Sequence, residues 1–325
     1  MSSAVSNDQD SSTPPATVAE VIQARRASGL RADGHRLALV IEGGGSRGVY
    51  SSGMVQALEE LGLAGIFDAV YGTSAGAING AWLLCGRAAT GMRSWTDPAI
   101  MRRVVDPVRV LRGRPVFDLH YLVHRVYDGI EPMDFAAILA NPTTLHPIAT
   151  DIRTGQSVDL APHIVDKTTL LTALRASAGL PLLAGPPVPL GDSSYFDGGL
   201  TETVPIRTAI RAGATHALVL RTRRTDELRP PAPLLHRVVG GGYMRAVAPG
   251  AYRAWSQRPG QQAVEDRFLA DLGDRVLQIH PPAAAPPVDS AARDTDLLAR
   301  ALDLGRTAVH TLLGATIDPT PVLDA

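Results

Sequence analysis

Phe67-Asp68-Ala69-Val70-Tyr71-Gly72-Thr73-Ser74-Ala75-Gly76-Ala77-Ile78-Asn79-Gly80-Ala81-Trp82-Leu83-Leu84 is the stretch on which the reading of this chain turns. Residues 67–71 have the apolar character of a short buried strand, and 77–84 that of a helix. Between them Gly72-Thr73-Ser74-Ala75-Gly76 sets small residues on both sides of a serine, so the backbone can turn sharply and lift the hydroxyl into the open. The helix that follows aims its free N–H groups and positive end at whatever that serine attacks. Serine is also a good helix-capping residue. Five residues alone fit a nucleophile and a cap equally well.

Working outward, Leu37-Ala38-Leu39-Val40-Ile41-Glu42 is an almost continuous apolar run that stops at Gly43-Gly44-Gly45-Ser46-Arg47-Gly48. Its length and composition predict a strand covered on both faces, and 49–61 follows as a helix with Met54, Leu58 and Leu61 on one side. Strand, glycine loop, helix, strand, serine turn and helix in that order predict a parallel sheet with covering helices. In such a sheet the loops after neighbouring strands lie side by side at the carboxyl edge, where ligands bind. The glycine loop is therefore expected to face Ser74. A dinucleotide site is disfavoured because the second strand ends in glycine, where a ribose-binding acid would stand, and no Gly-Lys-Ser/Thr follows for a nucleoside triphosphate. An oxyanion hole is the better use, with amides of Gly44, Gly45, Ser46, Arg47 and Ala75 as its donors. Losing one such donor typically slows turnover by about 10²–10³. For the Arg47 side chain, pairing with Glu42 stands beside contact with a phosphate oxygen.

Further along, 117–126, 133–139 and 167–177 are expected helices, and 145–150 and 156–160 are strands bracketing a turn at Asp151. Residues 180–190 hold four prolines, which excludes an ordinary helix and predicts an extended apolar loop near the site. Tyr195-Phe196-Asp197-Gly198-Gly199 ends a strand in a tight turn that presents a carboxylate. Alone, that aspartate would most simply bond its own turn; in order after the two other elements it is a catalytic candidate. Proline at 205 opens a helix to 211, with strands at 215–221 and 275–280 and a closing helix over 291–313. The small, polar, proline-containing residues 1–34 are expected to be disordered or weakly ordered, apart from a short helix at 18–28. Residues 35–325 are expected to form one domain, in which 281–287 is a linker and 222–325 has no identifiable pattern. The apolar loop 180–190 and the flexible-looking stretch 221–260 are the expected walls of a substrate groove.

The 325 residues are 45% hydrophobic, enough for a sizeable core, and carry a formal net charge of -1, which argues against a nucleic-acid binder. The single cysteine, Cys85, lies in an apolar run and is expected to be a buried structural thiol. With no basic-then-apolar leader and no apolar run of about 18 residues, the expected setting is cytoplasmic, with transient contact at a membrane surface compatible. Nothing indicates an oligomeric state or a cofactor. His120 and His124 are spaced as metal ligands are, but lack the zinc-protease glutamate, so a helix face is the better reading.

Taken together, Gly43–Gly48, Gly72–Gly76 and Asp197-Gly198-Gly199 resemble the patatin-like phospholipase family of serine acyl hydrolases. Supporting stretches are Thr150-Asp151 with Thr154-Gly155, Arg175–Pro181, and Val204-Pro205-Ile206. The resemblance covers residues 37–220 and is specific because three motifs recur in order; it implies a three-layer α/β/α fold with a mostly parallel sheet. It also implies lipid or simple ester substrates, a Ser74–Asp197 dyad and no metal. A free aspartate, with a pKa of about 3.9, is a weak base and needs burial to accept a hydroxyl proton. Two alternatives stand beside this. One is an esterase with a Ser-His-Asp triad, drawing on His216, His236, His280 or His310, with His280 best placed. The other is a non-catalytic lipid-binding module that keeps the fold.

Overall fold

The structure is a computed structural model and describes residues 16–227 and 234–314. In chain order its strands are β1 (Leu37–Ile41), β2 (Ala69–Thr73), β3 (Thr144–Asp151), β4 (Ser157–Asp159), β5 (Val188–Leu190), β6 (Ser193–Asp197), β7 (His216–Leu220) and β8 (Val276–Ile279). The helices are α1 (Val18–Ser28), α2 (Gly48–Glu60), α3 (Ala75–Leu84), α4 (Pro98–Val104), α5 (Leu119–Tyr121), α6 (Phe135–Ala140), α7 (Lys167–Ala178), α8 (Ile206–Arg211), α9 (Leu234–Val247), α10 (Tyr252–Asp271) and α11 (Thr295–Val309). Helix α5 runs on as a π-helix over Leu122–Ile130.

The sheet order is β5-β6-β3-β2-β1-β7-β8, with β4 paired to β3 off this path. Strands β1, β2, β3, β7 and β8 are mutually parallel, whereas β4 and β6 run antiparallel to β3 and β5 antiparallel to β6. Every residue of β1, β2 and β7 is buried, as strands covered on both faces require. Successive side chains of β1 alternate between two cores. Leu37, Leu39 and Ile41 join residues of α1, α2, α3, α7 and α11, and Ala38 and Val40 join Ile206 and Ala209 of α8 and Leu269 of α10. The result is three layers, helix on sheet on helix.

Three expectations are corrected. Residues 1–15 lie outside the described residues; the short helix expected at 18–28 is present as α1, and it is packed rather than weakly ordered. Helix α1 starts in a capping box of Thr17 and Glu20, buries Val18, Val21 and Ile22 in the main core, and anchors Arg25 on Asp33 and Asp68, both at 2.8 Å. The stretch 221–260 is largely helical along its described length. It contains α9 and the start of α10, and two of its glycines serve close contact: a Cβ on Gly240 would lie 2.3 Å from the Trp255 ring, and one on Gly250 1.8 Å from the Arg153 carbonyl oxygen. Residues 281–287 are a packed strap, not a linker. The Pro286 carbonyl accepts from the Tyr50 hydroxyl at 2.5 Å, the Ala285 carbonyl from Arg224 at 2.8 Å, and Ala285 and Val288 are buried in the main core.

Candidate active site

Ser74 sits between the end of β2 and the first residue of α3 with φ 56° and ψ −125°, in the positive-φ region that non-glycine residues rarely enter. Holding such a residue costs about 1–3 kcal/mol and needs surroundings that enforce it. The Ser74 N–H donates to Ser177 Oγ at 3.0 Å, and Ser177 Oγ donates to the Ile148 carbonyl at 2.6 Å, so α7 and β3 clamp the turn. Below it the chains are in close approach: a Cβ on Gly76 would lie 2.3 Å from the Ile41 carbonyl oxygen, and one on Gly43 3.2 Å from Ser74 Cβ. Ser74 makes no side-chain capping bond to α3, so the capping reading of this serine is not realised. Asn79 of α3 joins the two helix starts, donating to the Gly48 carbonyl at 2.8 Å.

Sheet register carries Asp197 to the same level. Thr73 pairs with Ile148, and the next residue of β3, Ala149, pairs with Asp197. Thr73, the residue before Ser74, and Asp197 thus stand one rung apart on strands separated by β3. Asp197 is buried, and its Oδ1 accepts the Gly199 N–H at 2.6 Å, the bond of an aspartate that shapes its turn. Its backbone is fixed on both sides, N–H to the Gly179 carbonyl and carbonyl from Thr150 Oγ1, each at 3.0 Å. The chain after the turn then ties the other loops in. The Glu202 carbonyl accepts Thr73 Oγ1 at 2.9 Å, the Thr203 carbonyl accepts the Gly43 N–H at 2.9 Å, and Glu265 of α10 accepts the Thr203 N–H at 2.6 Å. Helix α10 also brings Arg258 within electrostatic reach of Asp197; burial holds that guanidinium below its usual pKa and the Asp197 charge opposes the shift.

The glycine loop is narrower as an amide source than its sequence suggests. Gly45–Arg47 form a 3-10 turn, the Ser46 N–H donates to the Ser290 carbonyl at 2.9 Å, and the Arg47 N–H donates to the Gly44 carbonyl at 3.3 Å. The expected donors Ser46 and Arg47 are therefore engaged within the fold, Ser46 by Ser290 just beyond the strap and Arg47 by the loop's own turn. Gly48 likewise donates back to the Gly45 and Ser46 carbonyls. Ala75 opens α3, where an N–H has no intrahelical acceptor, and Gly44 and Gly45 complete the remaining set. Glu42 bonds Arg221 at 3.0 Å and the Thr222 N–H at 2.8 Å, and Arg47 acts on it through charge. Burial opposes ionisation of Glu42, but these contacts, with Arg47 a weaker contributor, hold its carboxyl below the usual range.

A cleft of roughly 590 Å³ opens on Ser74, Gly45 and Ser46. Its walls are apolar and come chiefly from the segment between α3 and α6, including Ile100, Val104, Val105, Phe117 and Leu122. Of the expected groove residues only Leu180 lines it, together with Ala178 at the end of α7, and none of the described residues of 221–260 does. Helix α4 and the wall it builds are not among the elements expected from the sequence, although Asp97-Pro98 is a helix-start signal.

The remaining candidates have structural partners. Asp151 Oδ1 accepts the N–H groups of Arg153 and Thr154, both at 2.8 Å, and so shapes its turn. His216 bonds the Ala16 carbonyl at 2.7 Å, His280 the Arg223 carbonyl at 2.9 Å, and exposed His310 bonds Glu60 at 2.8 Å. Burial lowers the pKa of both His216 and His280. The side chain of His236 lies outside the described residues. None of the other three histidines lines the cleft. His120 and His124 lie ring to ring at 4.6 Å, and Cys85 is buried with its thiol pKa raised by that burial. No described helix is long and apolar enough to cross a membrane.

The sequence is 32% identical over 192 residues to the uncharacterized protein YjjU of Escherichia coli (strain K12), covering 58% of this chain and 52% of that protein. It is 30% identical over 209 residues to an uncharacterized NTE family protein of Mycobacterium tuberculosis (strain ATCC 25618 / H37Rv), covering 61% and 52%. The chain thus spans about half the length of the curated relatives it matches. Among solved structures, VipD from Legionella pneumophila aligns with a TM-score of 0.41 and 14% identity, over 87% of this chain and 67% of that one. The model of the patatin-like phospholipase family matches residues 39–210, a range that takes in the serine elbow, the Asp197 turn and most of the sheet, and the chain belongs to that family.

Proposed function

We propose that this protein is a lipid acyl hydrolase of the carboxylic ester hydrolase class, acting through Ser74 and Asp197. The observation that carries the reading is a serine held at positive φ between β2 and α3, lining an apolar cleft. In this reading the acyl chain lies along the α4–α5 wall and the ester carbonyl sits over the amides of Gly44, Gly45 and Ala75. Ser74 Oγ attacks the carbonyl carbon while its proton passes to the Asp197 carboxylate. The amides stabilise the oxyanion, the alcohol leaves with the proton, and an acyl-serine remains. Water then adds to the acyl group, giving its proton to Asp197, and the adduct collapses as Ser74 Oγ takes that proton back and the carboxylic acid departs. Commitment of His216, His280 and His310 to other partners supports a dyad over a triad.

The test is an ester panel from short soluble esters to phospholipids, run beside a fluorophosphonate label. Ser74→Ala is expected to abolish turnover and labelling, and Asp197→Ala to lower kcat by about four orders of magnitude, as removal of coupled catalytic groups does. His280→Ala should leave kcat within a few-fold. Folded wild-type protein that takes no label on Ser74 would favour the lipid-binding module, and a loss at His280 equal to that at Asp197 would restore the triad.

A further inference from the structure

We propose that the excursion at residues 106–116 docks the protein on an anionic lipid surface and sets the mouth of the cleft against it. This deepens the lipid-hydrolase reading and rests on it for the direction of substrate entry. The excursion is pinched at its neck by an antiparallel bridge between Val105 and Phe117. Flanking bonds reinforce the neck: the Asp106 N–H donates to the Val116 carbonyl and the Asp118 N–H to the Val104 carbonyl, both at 2.9 Å. Val104, Val105 and Phe117 are themselves buried cleft wall, so the excursion grows directly out of the wall of the cleft.

That tip is apolar and bare. Val108, Val110 and Leu111 are 52%, 57% and 86% exposed within four consecutive positions, beside an exposed Pro107. Leu30 and Val165 stand singly and Val238 and Val239 form only a pair, which is ordinary for a protein surface. A cluster rimmed by charge marks an interaction site.

The charge around it selects the partner. Arg102, Arg103, Arg112 and Arg114 are exposed on either side of the tip. The two acids of the segment do not offset them at the surface, because Arg109 braces Asp118 at 3.4 Å and Asp106 at 3.9 Å, and Arg293 approaches Asp106 at 3.8 Å. This concentration of positive charge stands in a chain of net charge -1. A second copy seated tip to tip would set arginines against arginines. An anionic bilayer satisfies both features: the aliphatics enter the acyl boundary while the guanidinia stay among the headgroups.

Binding is scored on full-length Ser74→Ala protein, so that turnover cannot alter the lipid, by sedimentation with phosphatidylglycerol or phosphatidylcholine vesicles. Association is expected with phosphatidylglycerol, weakening with added salt and on phosphatidylcholine. In that background Val110→Asp with Leu111→Asp should lower vesicle affinity at least about tenfold. Arg112→Glu with Arg114→Glu should lower it by about fivefold or more per arginine, on the anionic vesicles only. Val165→Asp, outside the excursion, should change neither. The same substitutions made with Ser74 intact should leave thermal stability and hydrolysis of a soluble short-chain ester unchanged. Vesicle binding that ignores lipid charge, or that survives both double substitutions, would overturn the proposal, as would variants that abolish self-association alone. If the docking results hold while wild type hydrolyses no ester, it is the hydrolase reading that fails and the docking surface stands.

Discussion

Ser177 reaches the Ser74 turn from 103 positions away, and its hydroxyl both accepts the Ser74 N–H and donates to the Ile148 carbonyl. All three groups are buried. Ser177→Ala would leave a donor and an acceptor without their partner, and each such group costs about 1–3 kcal/mol. The expected outcome is a fall in Tm of several degrees, at about 2–4 °C per kcal/mol for a domain near this size. Because the hydroxyl holds the elbow and does not line the cleft, kcat for a soluble ester should fall while KM changes little. Thermal denaturation and steady-state kinetics on one preparation check both halves, and an unchanged kcat would reduce Ser177 to a purely structural tie. The sequence displayed this serine only as part of the Arg175–Pro181 stretch. Its partner could not be read there, since the bond depends on how α7 lies against β2 and β3.

Helices α2 and α11 cross at two glycines: a Cβ on Gly53 would lie 1.9 Å from the Leu302 carbonyl oxygen, and one on Gly305 2.1 Å from that of Tyr50. Gly305→Ala would gain up to about 1 kcal/mol of helix propensity. A methyl at that separation from a backbone oxygen forces the helices apart, and overpacking of this kind typically costs about 1–3 kcal/mol. Net destabilisation is expected, with Gly65→Ala, whose Cβ would meet nothing within 4 Å, as the neutral control in the same melts. Elements of this kind mark where the sequence was legible. Strands β1, β2 and β7 were readable because a parallel strand buried on both faces is apolar almost throughout, and the serine turn because its small residues have a geometric reason. Helices α9 and α10 were not, since Gly240, Gly241, Gly242 and Pro259 look like breakers in one dimension. In three dimensions Gly240 makes room for the Trp255 ring. The strap at 281–287 failed for the same reason: proline and alanine signal a spacer until the core they cover is visible. At the site, the elbow and the Asp197 turn could be named from local pattern, whereas engagement of the Ser46 amide by Ser290 depends on a contact 244 residues away in the chain.

Across the whole molecule, the parts beyond residue 210 complete the parts before it. Strands β7 and β8 extend the sheet, α11 covers α2, and α10 reaches the site loops through Glu265, whose carboxylate oxygen accepts the Thr203 N–H at 2.6 Å and the Gln261 side-chain amide at 2.9 Å. Burial pushes the Glu265 pKa up to about 8 from the ordinary glutamate value of 4.5, against the opposing effect of those two bonds. The consequence for stability has a definite sign. Between these two values the folded protein keeps a proton that the unfolded chain has released, so stability is greatest below the lower value and declines as pH rises toward the upper one. One proton corresponds to a slope of about 1.4 kcal/mol per pH unit at most. The other buried groups act elsewhere on the scale. His216 and His280 are held neutral by burial and cost stability only as pH falls below the ordinary histidine value of 6.5. The Glu42 carboxyl, kept low beside Arg221, loses its contribution only in acid. From about pH 6.5 to 8 the carboxyl of Glu265 therefore dominates. Glu265→Gln keeps an acceptor for the Thr203 N–H and cannot ionise, so its Tm should be nearly flat over that range while that of wild type falls. The two proteins should differ most at the alkaline end, with the variant the more stable. Parallel declines in both would mean that this carboxyl stays ionised in the folded protein and that some other group titrates there.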